Sequence, residues 1–176
     1  MKVITISGKA QHGKDTFANM LKEQIEQKGK TAQIVKFADG VKEIAREKGW
    51  NGEKDNNGRV LLQFIGTEWG RQQIDKNIWV KKAENKFQNV DYVLIPDCRF
   101  ENEANYFADN GYEQVNIRVV RINYDGSEYQ TLNSKQQKHP SETGLDNFEF
   151  NYVIVAKNLE HLEYSATKVF NQLEEE

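Results

Sequence analysis

A chain of 176 residues suits one domain and can bury a core without metals or disulfides. Its 24 basic and 27 acidic residues are well mixed to a net charge of −3, which is not the surface of a nucleic-acid coat, so the cations that matter are expected in a local pocket. The one cysteine, Cys98, excludes an intrachain disulfide and a cysteine-based zinc site. No apolar run approaches the ~20 residues that span a bilayer, and the short stretch Val3 to Ile6 lacks a signal peptide's apolar length. The expectation is a protein of a reducing, cytoplasmic compartment.

Residues 3–7 (VITIS) read as a buried strand, and Gly8 to Gly13 as a glycine-flanked turn. From Lys14 a helical spacing follows, with Phe17, Leu21 and Ile25, and Lys28-Gly29 ends it. A second strand is predicted at 31–37, a short helix after Asp39-Gly40, and an unpacked polar loop at 51–58. Helical spacing returns at 59–73 and 77–88. Residues 91–95 form an apolar strand ended by Pro96, a helix covers 101–110, and strands are expected at 115–122 and 151–156. The closing helix buries Leu162, Ala166, Val169, Phe170 and Leu173 and ends in a solvated, frayed tail, Glu174 to Glu176. Strands alternate with helices, and several are apolar on both faces, so the fold class is α/β, a parallel sheet with helices on both faces. No repeat or linker divides the chain. The polar stretch 123–150 is too long for a passive connection and reads as a mobile lid.

Gly8-Lys9-Ala10-Gln11-His12-Gly13-Lys14-Asp15-Thr16 has the phosphate-loop spacing G-x-x-x-x-G-K. Two glycines let successive backbone N–H groups curl inward around phosphate, and the next helix offers its N-terminal N–H groups and positive dipole end. Lys14 then reaches the β- and γ-phosphates as a compact charge. The alternative, a glycine turn that merely joins strand to helix, is opposed by the strand before it and the helix after it. Asp15 stands where Ser or Thr usually ligates Mg²⁺, with Thr16 one residue later. An anion beside phosphates calls for a metal ion, so Asp15 is expected to bind Mg²⁺ directly or through water, with Thr16 in support. His12 is read as a residue whose backbone matters more than its imidazole.

In open parallel sheets ligands bind beyond the carboxyl ends of strands. Asp97 and Arg99 fall there, as a metal or metal-water ligand and a cation for a transferring phosphoryl group; the alternative is that both cap the helix starting near Glu101. Phe37, Asp39 and Lys42 border the same edge after the second strand. In Leu62-Gln63-Phe64-Ile65-Gly66-Thr67-Glu68-Trp69-Gly70-Arg71, Arg71 can clamp a phosphate while Trp69 and Gln63 stack on or hydrogen-bond a base. Equally, Trp69 can cover the core and Arg71 face solvent.

Four blocks spread through most of the chain carry a resemblance: GKAQHGKDT at 8–16, LLQFIGTEWGRQQIDKNIWV at 61–80, VLIPDCRFENEA at 93–104 and HPSETGLD at 139–146. The chain resembles the phage-type deoxynucleoside monophosphate kinases of the P-loop nucleoside monophosphate kinase superfamily. The GKD variant of the loop is shared with phosphomevalonate kinases; the second and third blocks are more specific. The resemblance implies a P-loop kinase fold with a five-stranded parallel sheet, an ATP site, an acceptor region at about 37–80 and the lid at 123–150. ATP would be held by Gly8, Lys9, Gly13, Lys14, Asp15 and Thr16, with Asn158 near its adenine. Arg71 would hold the acceptor's α-phosphate, and Asp97 with Arg99 would line the reacting phosphates. Lids of related kinases supply arginines, yet 123–150 contains only Lys135 and Lys138, with His139. Either Arg121, on the strand before it, or the lid lysines then complete the charge clamp. Ser141 and Glu142 read as lid or hinge residues, or as a helix-start pair with no catalytic task.

The implied reaction moves the γ-phosphate of ATP, with Mg²⁺, onto a (deoxy)nucleoside 5'-monophosphate. Its acceptor oxygen is already anionic, so no strong general base is required, in keeping with the absence of a His–Asp pair near the motifs. The rivals are a P-loop kinase for another phosphorylated metabolite, such as a phosphomevalonate-like one, and a nucleotide-binding regulator. The latter lacks its N-K-x-D run, the nearest being Asn85-Lys86-Phe87-Gln88. Expected partners are small-molecule nucleotides, without nucleic acid or membrane, for a monomer or homodimer in the cytoplasm (the host's, if phage-encoded).

Overall fold

The computed structural model describes residues 1–53 and 55–175, with the backbone alone of Lys135. The expectations placed on the Lys135 side chain and on Glu176 fall outside the described residues. The chain divides into two compact units, residues 1–34 with 88–176, and residues 35–87.

The first unit holds five parallel strands, β1 (Lys2–Ser7), β2 (Ala32–Ile34), β3 (Tyr92–Ile95), β4 (Glu113–Arg121) and β5 (Tyr152–Ala156), in the order β2-β3-β1-β4-β5. The central strand β1 is buried along its whole length, its polar Lys2, Thr5 and Ser7 included, as a strand covered on both faces is. Helices α1 (Lys14–Gln27) and, at the chain's end, α8 (Leu159–Glu175) cover one face. Phe17, Leu21 and Ile25 of α1 and Leu162, Val169 and Phe170 of α8 pack there with Ile4, Ile6, Leu94 and Ile117. A fully buried side chain of this size contributes about 2 kcal/mol, so these two stripes hold much of the unit together. Over the other face lies α5 (Glu101–Asp109), whose Ala104 carbonyl accepts from Gln114 Nε2 at 2.6 Å. Registers Ser7 to Arg118 and Arg121 to Ala156 align the strands' carboxyl ends along one edge.

The second unit is helical: α2 (Phe37–Glu47), α3 (Asn56–Gln63), a π-helix (Phe64–Ile74) and α4 (Ile78–Glu84). Its side chains Phe37, Ala45, Ile65, Trp79 and Ala83 are buried. Gly70 is required here, because a Cβ would strike the Trp79 indole and lie 2.7 Å from the Ile65 carbonyl oxygen.

Several boundaries depart from the sequence reading. The strand predicted at 31–37 keeps three residues, since Phe37 already opens α2. Apart from Lys54, outside the described residues, the loop predicted at 51–58 is partly organised: the Asp55 side chain caps α3 by accepting from Gly58 N at 2.7 Å, and Trp50 Nε1 donates to the Glu53 carbonyl at 2.8 Å. The continuous helix expected at 59–73 changes to π geometry at Phe64. Glu174 does not fray; it meets Lys30 and the Tyr92 hydroxyl. The stretch 123–150 carries two short helices, α6 (Ser134–Gln137) and α7 (Pro140–Thr143), and buries Leu145. Among the described residues no helix is long and apolar enough to cross a membrane.

Candidate functional site

The turn between β1 and α1 is built from backbone conformations that only its composition allows. Gly8 and Gly13 have φ of 145° and 89°, and Gln11 sits at 60°. A Cβ on Gly8 would collide with the Val119 carbonyl oxygen of β4. Gly13 caps α1 in the left-handed conformation and supplies no side chain, so the first-turn N–H groups of α1 have no side-chain cap. Lys14 is 8% exposed, and its ammonium donates to the Lys9 carbonyl at 2.7 Å. Burial, reinforced by the like charge of Arg99, pushes its pKa down to about 7, against the opposing charges of Glu142, Asp15 and Asp97. An ammonium held this way is paired best by an anion with several negative oxygens.

Beside it opens a cavity of about 400 Å³. Gly13, Lys14, Asp15 and Thr16 line it from the loop, Arg121 from the end of β4, and Asn158 and Leu162 from the start of α8. Asn158 also caps α8, its Oδ1 accepting from His161 N at 2.9 Å. Arg121 stacks on the Tyr129 ring, with its guanidinium carbon 3.9 Å from the ring centre. The structure thus brings Asn158 and Arg121 to the loop predicted to bind ATP.

His12 departs from its sequence reading. Its imidazole is 3% exposed and both ring nitrogens are used. Nδ1 accepts from Arg121 N at 3.3 Å, so Nε2 carries the proton and donates to the Tyr129 carbonyl at 2.8 Å. The side chain ties the phosphate loop to the Arg121–Tyr129 stack. Burial chiefly lowers its pKa.

On the loop's other flank, Arg99 Nη1 donates to the Gly8 carbonyl at 3.3 Å, the Ser141 carbonyl at 3.2 Å and Glu142 Oε1 at 2.8 Å. The start of α5 is served instead by the buried Glu103 carboxylate, which accepts from Arg99 N at 2.7 Å and Phe100 N at 3.2 Å. The side chain of Arg99 is therefore not a helix cap. Half-buried Asp97 and exposed Asp15 both lie within electrostatic reach of Lys14. No group of three or more metal-ligating side chains occurs among the described residues. Two carboxylates near the Lys14 ammonium would suit Mg²⁺ were phosphate bound there, since the ion takes one or two carboxylates plus phosphate oxygens and water.

Next to the stretch 123–150, Arg118 of β4 is committed to the Leu145 carbonyl at 2.9 Å and Asp146 at 3.0 Å; within the stretch, Lys138 is exposed. His139 caps α7, its Nδ1 accepting from Ser141 N at 3.2 Å. Glu142 has the role that sequence reasoning missed: its Oε2 accepts from Ala10 N in the phosphate loop at 3.0 Å. His139-Pro140 announces a helix start, but nothing in the sequence links residue 142 to residue 10.

In the second unit, Phe37 is 2% exposed, so its ring has no open face for a base. Asp39 pairs with Lys42 at 3.2 Å. Gln63 is exposed, Trp69 half-buried, and Arg71 Nη1 donates to the Gly66 carbonyl at 2.7 Å, which also accepts from Trp79 Nε1 at 2.8 Å. π-Geometry of this kind often marks functional segments.

Comparison with known proteins gives the chain's relatives. The solved complex of Mycobacterium tuberculosis APS kinase CysC with AMPPNP and APS superposes with a TM-score of 0.51 at 11% identity, covering 98% of this chain and 97% of that one, a likeness of fold alone. A second structure of that enzyme, the Cys556Ala mutant, gives 0.49 at 12% identity over 98% of this chain and 96% of that one. Among curated proteins, the deoxynucleoside-5'-monophosphate kinase of Escherichia phage T5 is 30% identical over 89 residues, 49% of this chain and 34% of that protein. The matched region thus spans about a third of the length of this curated relative. A family model described as deoxynucleotide monophosphate kinase matches residues 25–168, a region that begins inside α1, after the phosphate loop, so loop and match are independent pointers. With that match extending over most of its length, the chain belongs to the deoxynucleotide monophosphate kinase family.

Proposed function

We propose that the chain transfers the γ-phosphate of ATP to a (deoxy)nucleoside 5'-monophosphate, releasing ADP and the diphosphate. The observation that carries this reading is the buried Lys14 ammonium inside a glycine-formed nest of N–H groups, beside a 400 Å³ cavity, in a chain of this family. Gly8, Lys9, Gly13, Lys14 and Thr16 hold the triphosphate through backbone amides and the ammonium. Asn158 and Leu162 border the adenosine, and Arg121 lies over the same cavity. Arg99 supplies positive charge to the migrating group. Arg71, with Trp69 and Gln63, takes the acceptor nucleotide, and Asp39 and Lys42 border it.

Asp15 and Asp97, supported by Thr16, are the residues that would hold Mg²⁺; when bound, the ion neutralises charge on the phosphate oxygens. The chain's own residues align donor and acceptor and limit water, and the acceptor oxygen needs no proton removed. The stretch 123–150, with Lys138 and His139, acts as a lid on the reacting phosphates. The reading is of a single functional domain, acting in the cytoplasm.

Turnover of each deoxy- and ribonucleoside monophosphate, with ATP and Mg²⁺, tests it. ADP formation dependent on one or more of these acceptors is expected. ATP binding with no monophosphate-dependent turnover would remove the proposal.

A further inference from the structure

The Glu142 carboxylate occupies an unusual position: a negative side chain bonded to the phosphate loop itself. Its oxygens are divided, Oε2 accepting from Ala10 N at 3.0 Å and Oε1 from Arg99 Nη1 at 2.8 Å. The side chain is only 10% exposed. Arg99 is anchored through one nitrogen, since all three of its side-chain hydrogen bonds leave from Nη1. Nε and Nη2 have no acceptor among the described residues. A guanidinium held at one corner, with two N–H-bearing nitrogens left over, is arranged to donate outward, and Lys14 already feels its charge. The segment bearing Glu142 is fixed from several sides. Gly144 has no room for a Cβ, which would lie 2.8 Å from the Arg99 carbonyl oxygen, Leu145 is buried, and Arg118 holds Leu145 and Asp146.

We propose that Glu142 is a positioning residue, its carboxylate locking the Arg99 guanidinium and the Ala10 segment of the phosphate loop together so that the two remaining Arg99 nitrogens face the terminal phosphate of the bound triphosphate. The assignment rests on the proposed triphosphate site. It also gives part of the stretch 123–150 a task that needs no cation of its own: an acidic residue of that stretch aims an arginine carried elsewhere. A competing account makes the carboxylate a phosphate stand-in that ATP must displace, and the two accounts differ in sign.

The test is a double-mutant cycle read first by equilibrium binding of ATP and of ADP, without acceptor. Glu142→Gln keeps the shape and removes the charge; Arg99→Ala removes the cation. Each is expected to lower the preference for ATP over ADP about tenfold, the scale of one charge-assisted hydrogen bond. Because Glu142 acts through Arg99, the double variant is expected to lose no more than Arg99→Ala alone. Losses that multiply, or an ATP affinity that rises in Glu142→Gln, would overturn the assignment. Melting curves accompany the titrations. Glu142→Asp and Arg99→Lys run the same cycle if either first variant fails to fold, with the same two outcomes deciding. Binding that follows the cycle in a protein with no monophosphate-dependent turnover would sink the proposed reaction and leave the positioning role standing.

Discussion

The loop at residues 8–16 and the helical unit at 35–87 are built by different means for the ligand roles proposed for them. In the loop, the main chain sets the geometry: glycine conformations and an uncapped helix N-terminus form it, and buried Lys14 lies within it. Of the residues assigned to it, Gly13, Lys14, Asp15 and Thr16 line one cavity, which Asn158 and Arg121 reach from other elements, while Gly8 and Lys9 lie on the flank beside Arg99 and Glu142. In the helical unit the assigned residues are side chains that the unit also uses internally. Phe37 is buried, Asp39 and Lys42 pair with each other, and Arg71 folds onto the Gly66 carbonyl. A backbone site is fixed by consecutive residues, whereas a side-chain site depends on rotamers that a ligand has to win from existing partners.

The sharpest way to break this contrast is Lys14→Met. If the loop is a binding device rather than a turn, its lysine opposes stability. The ordinary ammonium value of 10.5 falls to about 7, so the unfolded chain holds this proton across a pH range where the folded chain releases it. Stability therefore rises with pH between those values, and at neutral pH the buried charge disfavours folding by on the order of a few kcal/mol. Lys14→Met is expected to melt at a higher temperature than the wild type while losing about a thousandfold in kcat/KM. A lower melting temperature with retained turnover would reduce the loop to a connection.

The next test falls on the helical unit. Gly70→Ala pushes a methyl into the Trp79 indole and the Ile65 carbonyl, and is expected to destabilise by about 3 kcal/mol. Denaturant melts that leave stability unchanged would mean the π-helix can shift away from Trp79 freely. Arg71→Ala should have a smaller effect of a different kind: KM for the monophosphate rising about thirtyfold, with KM for ATP within about twofold. Equal effects on both nucleotides would move Arg71 out of the acceptor site.

What was legible in the sequence follows the same division. Alternating strands and helices, and apolar runs such as Val3 to Ile6, implied the parallel sheet, and Gly8, Gly13 and Lys14 implied the nest, because each is a local pattern with a local cause. The early end of β2, where Phe37 already opens α2, and the switch to π geometry at Phe64 were not legible; in the latter, Trp79, outside the segment, sets the packing around Gly66 and Gly70. Glu142 was hidden for a related reason. Its partners, Ala10 and Arg99, lie 132 and 43 residues away, and no spacing rule joins them. His12 was underestimated because a histidine in a glycine loop usually faces water; here Tyr129 and Arg121 bury it.

His12 offers the smallest effect and the one that probes how the loop is tied to its flank. Its lowered pKa arises mainly from burial, with Lys14 adding to it and the Tyr129 carbonyl and Glu128, 3.9 Å away, opposing it. The unfolded imidazole takes its proton near the ordinary value of 6.5, while the folded one resists to lower pH. Its contribution to stability is therefore complete above that value and lost as pH falls through the folded value. A proton on Nδ1 would also face the Arg121 N–H that the nitrogen now accepts, loosening the link to the Arg121–Tyr129 stack. Melting temperature followed from pH 8 to 5 should fall more steeply in the wild type than in His12→Gln, by about a few degrees. Parallel curves would show that the imidazole contributes nothing, and the loop would then be a purely main-chain device.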